Sequence, residues 1–170
     1  MKINKTIFAF LFLFMVSGRA QVEEAYKVLR SNRGSIESYP VVAQKLINVG
    51  LYFTATAYLK EYLFRTSGTK ARKIDALIDE VITHIGVKQF DVMPLSILKK
   101  SQAPMVRYIL AKKYFRLGEY QQVLKALNGT IPARHSAKPF ALLLEGSTFA
   151  VLGKNKSAKA AFRRCIEVSN

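Results

Sequence analysis

A single cysteine, Cys165, stands in 170 residues, so the chain cannot close a disulfide within itself or assemble a thiolate cage for zinc. Acid is scarce as well, with 11 Asp and Glu against 27 Lys and Arg, which excludes an acidic surface and favours anionic partners. The apolar run Ile7 to Val16 has ten residues, where a spanning helix needs about 20, so it is too short for a permanent anchor. Catalytic signatures are missing too. No Gly-rich phosphate loop, nucleophile elbow or HExxH spacing occurs, and the two histidines are far apart, His84 at a predicted helix end and His135 in a loop. The sequence assigns no metal, no cofactor and no catalytic residue.

What is present begins with an export signal. Lys2 and Lys5 precede the apolar run, and Gly18 and Ala20 place small side chains three and one positions before Gln21, which predicts a signal peptide cleaved after Ala20. The residue directly after that point is Gln21 and not a cysteine, so a lipid anchor there has no support. The expected mature chain, 21–170, has enough apolar residues for one ordinary core. Its 24 basic and 11 acidic residues give a formal charge of +13, of which residues 104–170 contribute +9 from 12 basic and 3 acidic side chains. Such a surface draws anions over a Debye length of about 8 to 10 Å. Acidic proteins, anionic lipid and cell-wall polymers fit; nucleic acid fits the charge but not the export signal.

Glycine and proline punctuate the chain at a near-regular interval. Counted from Pro104, Tyr114, Leu117, Gly118, Tyr120 and Leu127 fall at offsets 10, 13, 14, 16 and 23. Counted from Pro139, Gly146, Phe149, Gly153, Ala158, Phe162 and Cys165 fall at 7, 10, 14, 19, 23 and 26. An earlier copy from Ile36 places Ala43, Leu46, Gly50, Tyr52, Ala55 and Leu59 at 7, 10, 14, 16, 19 and 23. Apolar residues recur at three and four around each turn, as in Val42, Leu46, Val49, which predicts helices throughout. A weaker copy starts near Ala71 with Ile74, Leu77, Ile78, Val81 and Ile85; its second helix contains Pro94, which costs about 3 kcal/mol in a helix interior and so predicts a break. The four starts are 35, 33 and 35 residues apart. Val22, Ala25, Tyr26 and Leu29 form a short stripe expected to cap the first pair, with a turn over 31–35, and a loop over 128–138 shortens the third second helix.

In this order and phase the pattern resembles the tetratricopeptide family, over about 135 of the 150 mature residues. LGEY at 117–120 matches the family's turn, and LGKN at 152–155 matches it with Asn155 in place of the aromatic. The resemblance implies an all-α, right-handed superhelix of about four antiparallel helix pairs over 36–170, preceded by an N-terminal capping segment, 21–35. Each unit needs stacked neighbours to bury its apolar face. No polar capping helix follows the fourth pair, which leaves the last helix for a partner or for a longer array.

The family's concave groove is lined from the first helix of each pair. Carried onto this chain, that implies Gln44, Ile47 and Asn48; Arg72, Asp79 and Thr83; Met105, Tyr108, Lys112, Phe115 and Arg116; and Phe140, Leu143, Ser147 and Val151. Lys112 and Arg116 lie one turn apart beside Tyr108, suited to a carboxylate whose apolar neighbour rests on Met105. A solvated basic stripe is the plainer alternative. Glu145 stands where the family has a large apolar residue and is expected to pair with Lys159 or Arg163. EGS at 145–147 is faintly similar to the Glu-Ser of lytic transglycosylases, a slight basis for an enzyme. Cys165 is expected between packed helices as a small hydrophobe. The sequence thus leads to an exported scaffold that binds a protein, its partner an acidic or C-terminal-carboxylate peptide. Peripheral attachment to anionic lipid or cell wall through Lys154, Lys156, Lys159, Arg163 and Arg164 is the second reading; oligomeric state stays open.

Overall fold

The structure, a computed structural model, describes residues 19–20, 22–28, 30–31 and 34–169. Nearly all of the expected export signal therefore lies outside the described residues, as does Leu29 of the expected capping stripe. Among the described residues the protein is all-α, without a strand, and no helix is long and apolar enough to cross a membrane. The chain divides into two compact units, one ending at Arg65 and the next starting at Thr66.

In the first unit, helix α1 covers 22–28, and a short 3-10 turn, Ile36–Ser38, leads into α2, Tyr39–Asn48. Helix α3, Tyr52–Arg65, folds back on α2 as a hairpin. Val42, Ala43, Leu46 and Ile47 of α2 meet Ala55, Leu59, Tyr62 and Leu63 of α3 in a closed apolar seam. The small Ala43 and Ala55 are fully buried, as the repeat pattern requires where helices approach closely. Tyr39 meets Tyr58 edge-on at 5.3 Å, and Lys45 pairs with Glu24 of α1.

The second unit opens with α4, Gly68–Arg72, and α5, Asp75–Ile85, whose Leu77, Ile78, Val81 and Ile82 are buried. The expected second helix of this pair is broken as Pro94 dictates. Its place is taken by α6, Lys88–Asp91, and α7, Leu95–Leu98, with Pro94 as the cap residue that starts α7. Two regular hairpins follow: α8, Pro104–Arg116, with α9, Tyr120–Leu127, and α10, Lys138–Val151, with α11, Asn155–Ser169. Helix α8 packs on both α5 and α10, so the first helices of three successive pairs are neighbours.

Each regular first helix opens on a proline in its first turn, Pro40, Pro104 or Pro139, where the missing N–H would have had no helical partner anyway. Each also closes in one way. The Gly50, Gly118 and Gly153 N–H groups donate to the carbonyls of Ile47, Phe115 and Ala150, at 2.8, 3.1 and 3.0 Å. The next residues, Leu51, Glu119 and Lys154, donate to Leu46, Tyr114 and Phe149, at 2.9, 2.9 and 2.8 Å. This paired closure needs a left-handed residue, and the three glycines supply it with φ of 77, 75 and 70°.

Candidate functional site

Helix α8 is fixed from its N-terminus by two carboxylates one turn apart on α5. Asp75 accepts the Ser101 hydroxyl and, at 3.0 Å, the Gln102 N–H; Asp79 accepts the Met105 N–H at 2.9 Å. Both carboxylates thus meet donors at the opening of α8, where the unpaired N–H groups and the positive end of the helix dipole favour negative charge. Asp79 also faces His135 at 3.2 Å from the ring Nε2, and the ring Nδ1 accepts the Ala137 N–H at 3.1 Å. An imidazole that accepts at Nδ1 carries a proton at Nε2, which it can donate to Asp79. Burial pushes the Asp79 carboxyl up from the ordinary range, against the opposing pull of the Met105 N–H and His135.

With α8 so placed, its outward face adjoins α10. The Tyr108 and Phe140 rings lie 6.1 Å apart, tilted by 42°. Phe140, Leu143 and Val151 are 56, 52 and 55% exposed, and with Ser147 they fall at i, i+3, i+7 and i+11, one stripe of α10. Lys112, half-buried on α8, has no ion-pair partner among the described residues. Together they form a shallow apolar strip with an aromatic end and an unpaired cation.

Other expected groove residues have different duties. Arg116 is not free to join Lys112: its guanidinium donates to both oxygens of Asp91 on α6, each at 2.9 Å. The pair was invisible in the sequence because Asp91 arrives on the piece of helix that Pro94 cuts off. Phe115 packs edge-on against Tyr120 at 5.5 Å, inside its own hairpin. Arg72 belongs to α4 and not to the first helix of the second pair, which begins only at Asp75. The Thr83 hydroxyl donates to the Asp79 carbonyl at 2.8 Å. In the first unit, Gln44 donates to Asn48 at 2.9 Å on exposed α2 surface, while Ile47 is buried in the hairpin seam.

Glu145 does have a partner, but it is Arg164, at 3.2 Å, and not Lys159 or Arg163. The Ser147 hydroxyl donates to the Leu143 carbonyl at 2.9 Å, so the two polar side chains of EGS are engaged by different groups. Gly146 is explained by packing. A Cβ there would lie 2.5 Å from Phe162 Cε1, so only hydrogen lets α11 approach. The Cys165 thiol donates to the Pro139 carbonyl at 3.2 Å, half-buried between α10 and α11. Among the described residues no three His, Cys, Asp or Glu side chains gather as metal ligands.

No family model, curated protein or solved structure matches the chain.

Proposed function

We propose that this all-helical protein is an exported, tetratricopeptide-like scaffold whose α8–α10 face receives a segment of a partner protein. The observation that carries the reading is the row of large apolar side chains left exposed along α10, Phe140, Leu143 and Val151, continued by Tyr108 on α8. A row of this kind offers i, i+3, i+7 anchors to an apolar helix or extended strand. Lys112 beside it supplies a single positive charge for a carboxylate. The tetratricopeptide-like character is supported by the recurring proline openings, by the three identical glycine closures and by the neighbouring positions of α5, α8 and α10.

The test is capture of the partner by the mature protein in its native envelope, comparing the unaltered chain with Leu143→Asp and Lys112→Glu. Both positions lie away from the hairpin seams, so the helical circular-dichroism signal should persist. Capture should fall about tenfold or more with Leu143→Asp, as expected for loss of a central anchor, and by less with Lys112→Glu. Capture equal in all three chains would remove the α8–α10 face from consideration.

A further inference from the structure

The opposite face of α8 carries a second feature. Between α8 and α9 lies an open cavity of about 280 Å³ whose polar lining is Lys99, Arg107, Tyr114, Gln122 and Lys125. Every ionic side chain in that lining is a cation. Arg107 is half-buried there; its Nε–H donates to the Ala126 carbonyl at 3.2 Å, a bond that fixes the guanidinium without neutralising it. Among the described residues Lys99, Arg107 and Lys125 form no ion pair. Lys99 stands 5.5 Å from the centroid of the Tyr114 ring, which places its ammonium at the cavity wall. The hydrogen bond to Tyr114 and, to a smaller extent, Glu119 outside the lining hold the Lys99 pKa above its ordinary value.

A half-buried guanidinium ordinarily has a carboxylate beside it, because an unpaired charge loses hydration without recovering it from a partner. Here burial depresses the Arg107 pKa, opposed by the Tyr114 phenol and by no carboxylate. Two exposed lysines, Lys99 and Lys125, line the same space, where one anion could meet both. The neutral donors point to the same chemistry, since the Gln122 amide and the Tyr114 hydroxyl can both donate to oxygen. A single carboxylate would neutralise one of the three cations. A phosphoryl group, with about −1.5 to −2 charge at neutral pH and three acceptor oxygens, matches the set better.

We infer that the α8–α9 cavity is a binding site for a phosphoryl group, held by Arg107 with Lys99 and Lys125 closing over it. The group could come from a small soluble phosphate or from the headgroup of a phosphate monoester lipid. This site is separate from the α8–α10 strip and stands or falls independently of it.

The experiment titrates the mature protein with inorganic phosphate and with glycerol 3-phosphate at constant ionic strength held by chloride, following amide shifts. In parallel it measures sedimentation with vesicles of phosphatidic acid in phosphatidylcholine. Two altered chains are run beside it: Arg107→Gln, and the doubly substituted Lys99→Ala, Lys125→Ala, whose exposed side chains can be removed without disturbing the core. Saturable shifts around α8 and α9 with the soluble phosphates, weakened about tenfold or more in both altered chains, support a soluble ligand. Vesicle binding that needs phosphatidic acid and fails in both altered chains, with no soluble response, supports the lipid source. No saturable response in either arm overturns the site. So does a response that survives in Lys99→Ala, Lys125→Ala, since that chain keeps its fold even if Arg107→Gln does not.

Discussion

Asp79 lies where α5, the start of α8 and the loop carrying His135 meet, and its carboxyl is held above the ordinary value of 3.8 chiefly by burial. The folded chain therefore keeps this proton to higher pH than the open chain does. As pH rises through the window between 3.8 and the raised value, ionising Asp79 costs the fold stability, and the loss is complete above it. Asp79→Asn keeps an acceptor for the Met105 N–H but cannot ionise. Its stability relative to the unaltered chain should improve as pH rises from below 3.8 through the raised value in denaturant unfolding. A difference independent of pH would show that burial does not govern this carboxyl. At the same scale the chain shows what a sequence conceals. The cations Lys112 and Arg116 were legible as one face of one helix, but that Arg116 is engaged by Asp91 depends on the helix break at Pro94. Glu145 was expected to pair across to α11, and it does. Which of Lys159, Arg163 and Arg164 reaches it depends on the rotation of α11 about its axis, which residue spacing alone does not set. The Asp79–His135 contact spans 56 positions through a loop with no periodicity, so no pattern announces it.

Helices are where the sequence was most legible. Gly50, Gly118 and Gly153 mark turns because the closure demands positive φ, and the small Ala43 and Ala55 fall where α2 and α3 bury each other fully. These are local requirements, and a sequence carries local requirements openly. Substituting Gly118→Ala places a Cβ at φ 75° in open space, so strain alone acts, and stability should fall by about 1–2 kcal/mol in chemical denaturation. Gly146 differs, since its backbone is helical and the obstacle is Phe162. Gly146→Ala should cost about 1–3 kcal/mol by overpacking, and Phe162→Leu in the same chain should recover part of that loss. If the two substitutions are additive in a double-mutant cycle, the contact between α10 and α11 is not what keeps position 146 small. The boundaries of α4 to α7 were the least legible elements. Three of the four are four or five residues long, and pieces that short show no full period of apolar residues.

The whole chain carries its charge unevenly, and its first twenty residues are the proposed export signal. Mass analysis of protein recovered from the cells that make it should give a chain beginning at Gln21; a chain retaining Met1 through Ala20 would remove export from the proposal. Export, where that mass is found, would leave proteins, lipids and wall polymers to meet the basic 104–170 region and would withhold nucleic acid. The central claim, however, is that recognition occurs on the first helices of the pairs and in particular on α10. Its most direct test is a photo-reactive side chain placed in living cells at Leu143, with Lys159 on α11 as the comparison position. A discrete covalent adduct with one protein from position 143, absent from position 159, is the outcome expected; adducts from 159 with none from 143 would contradict it.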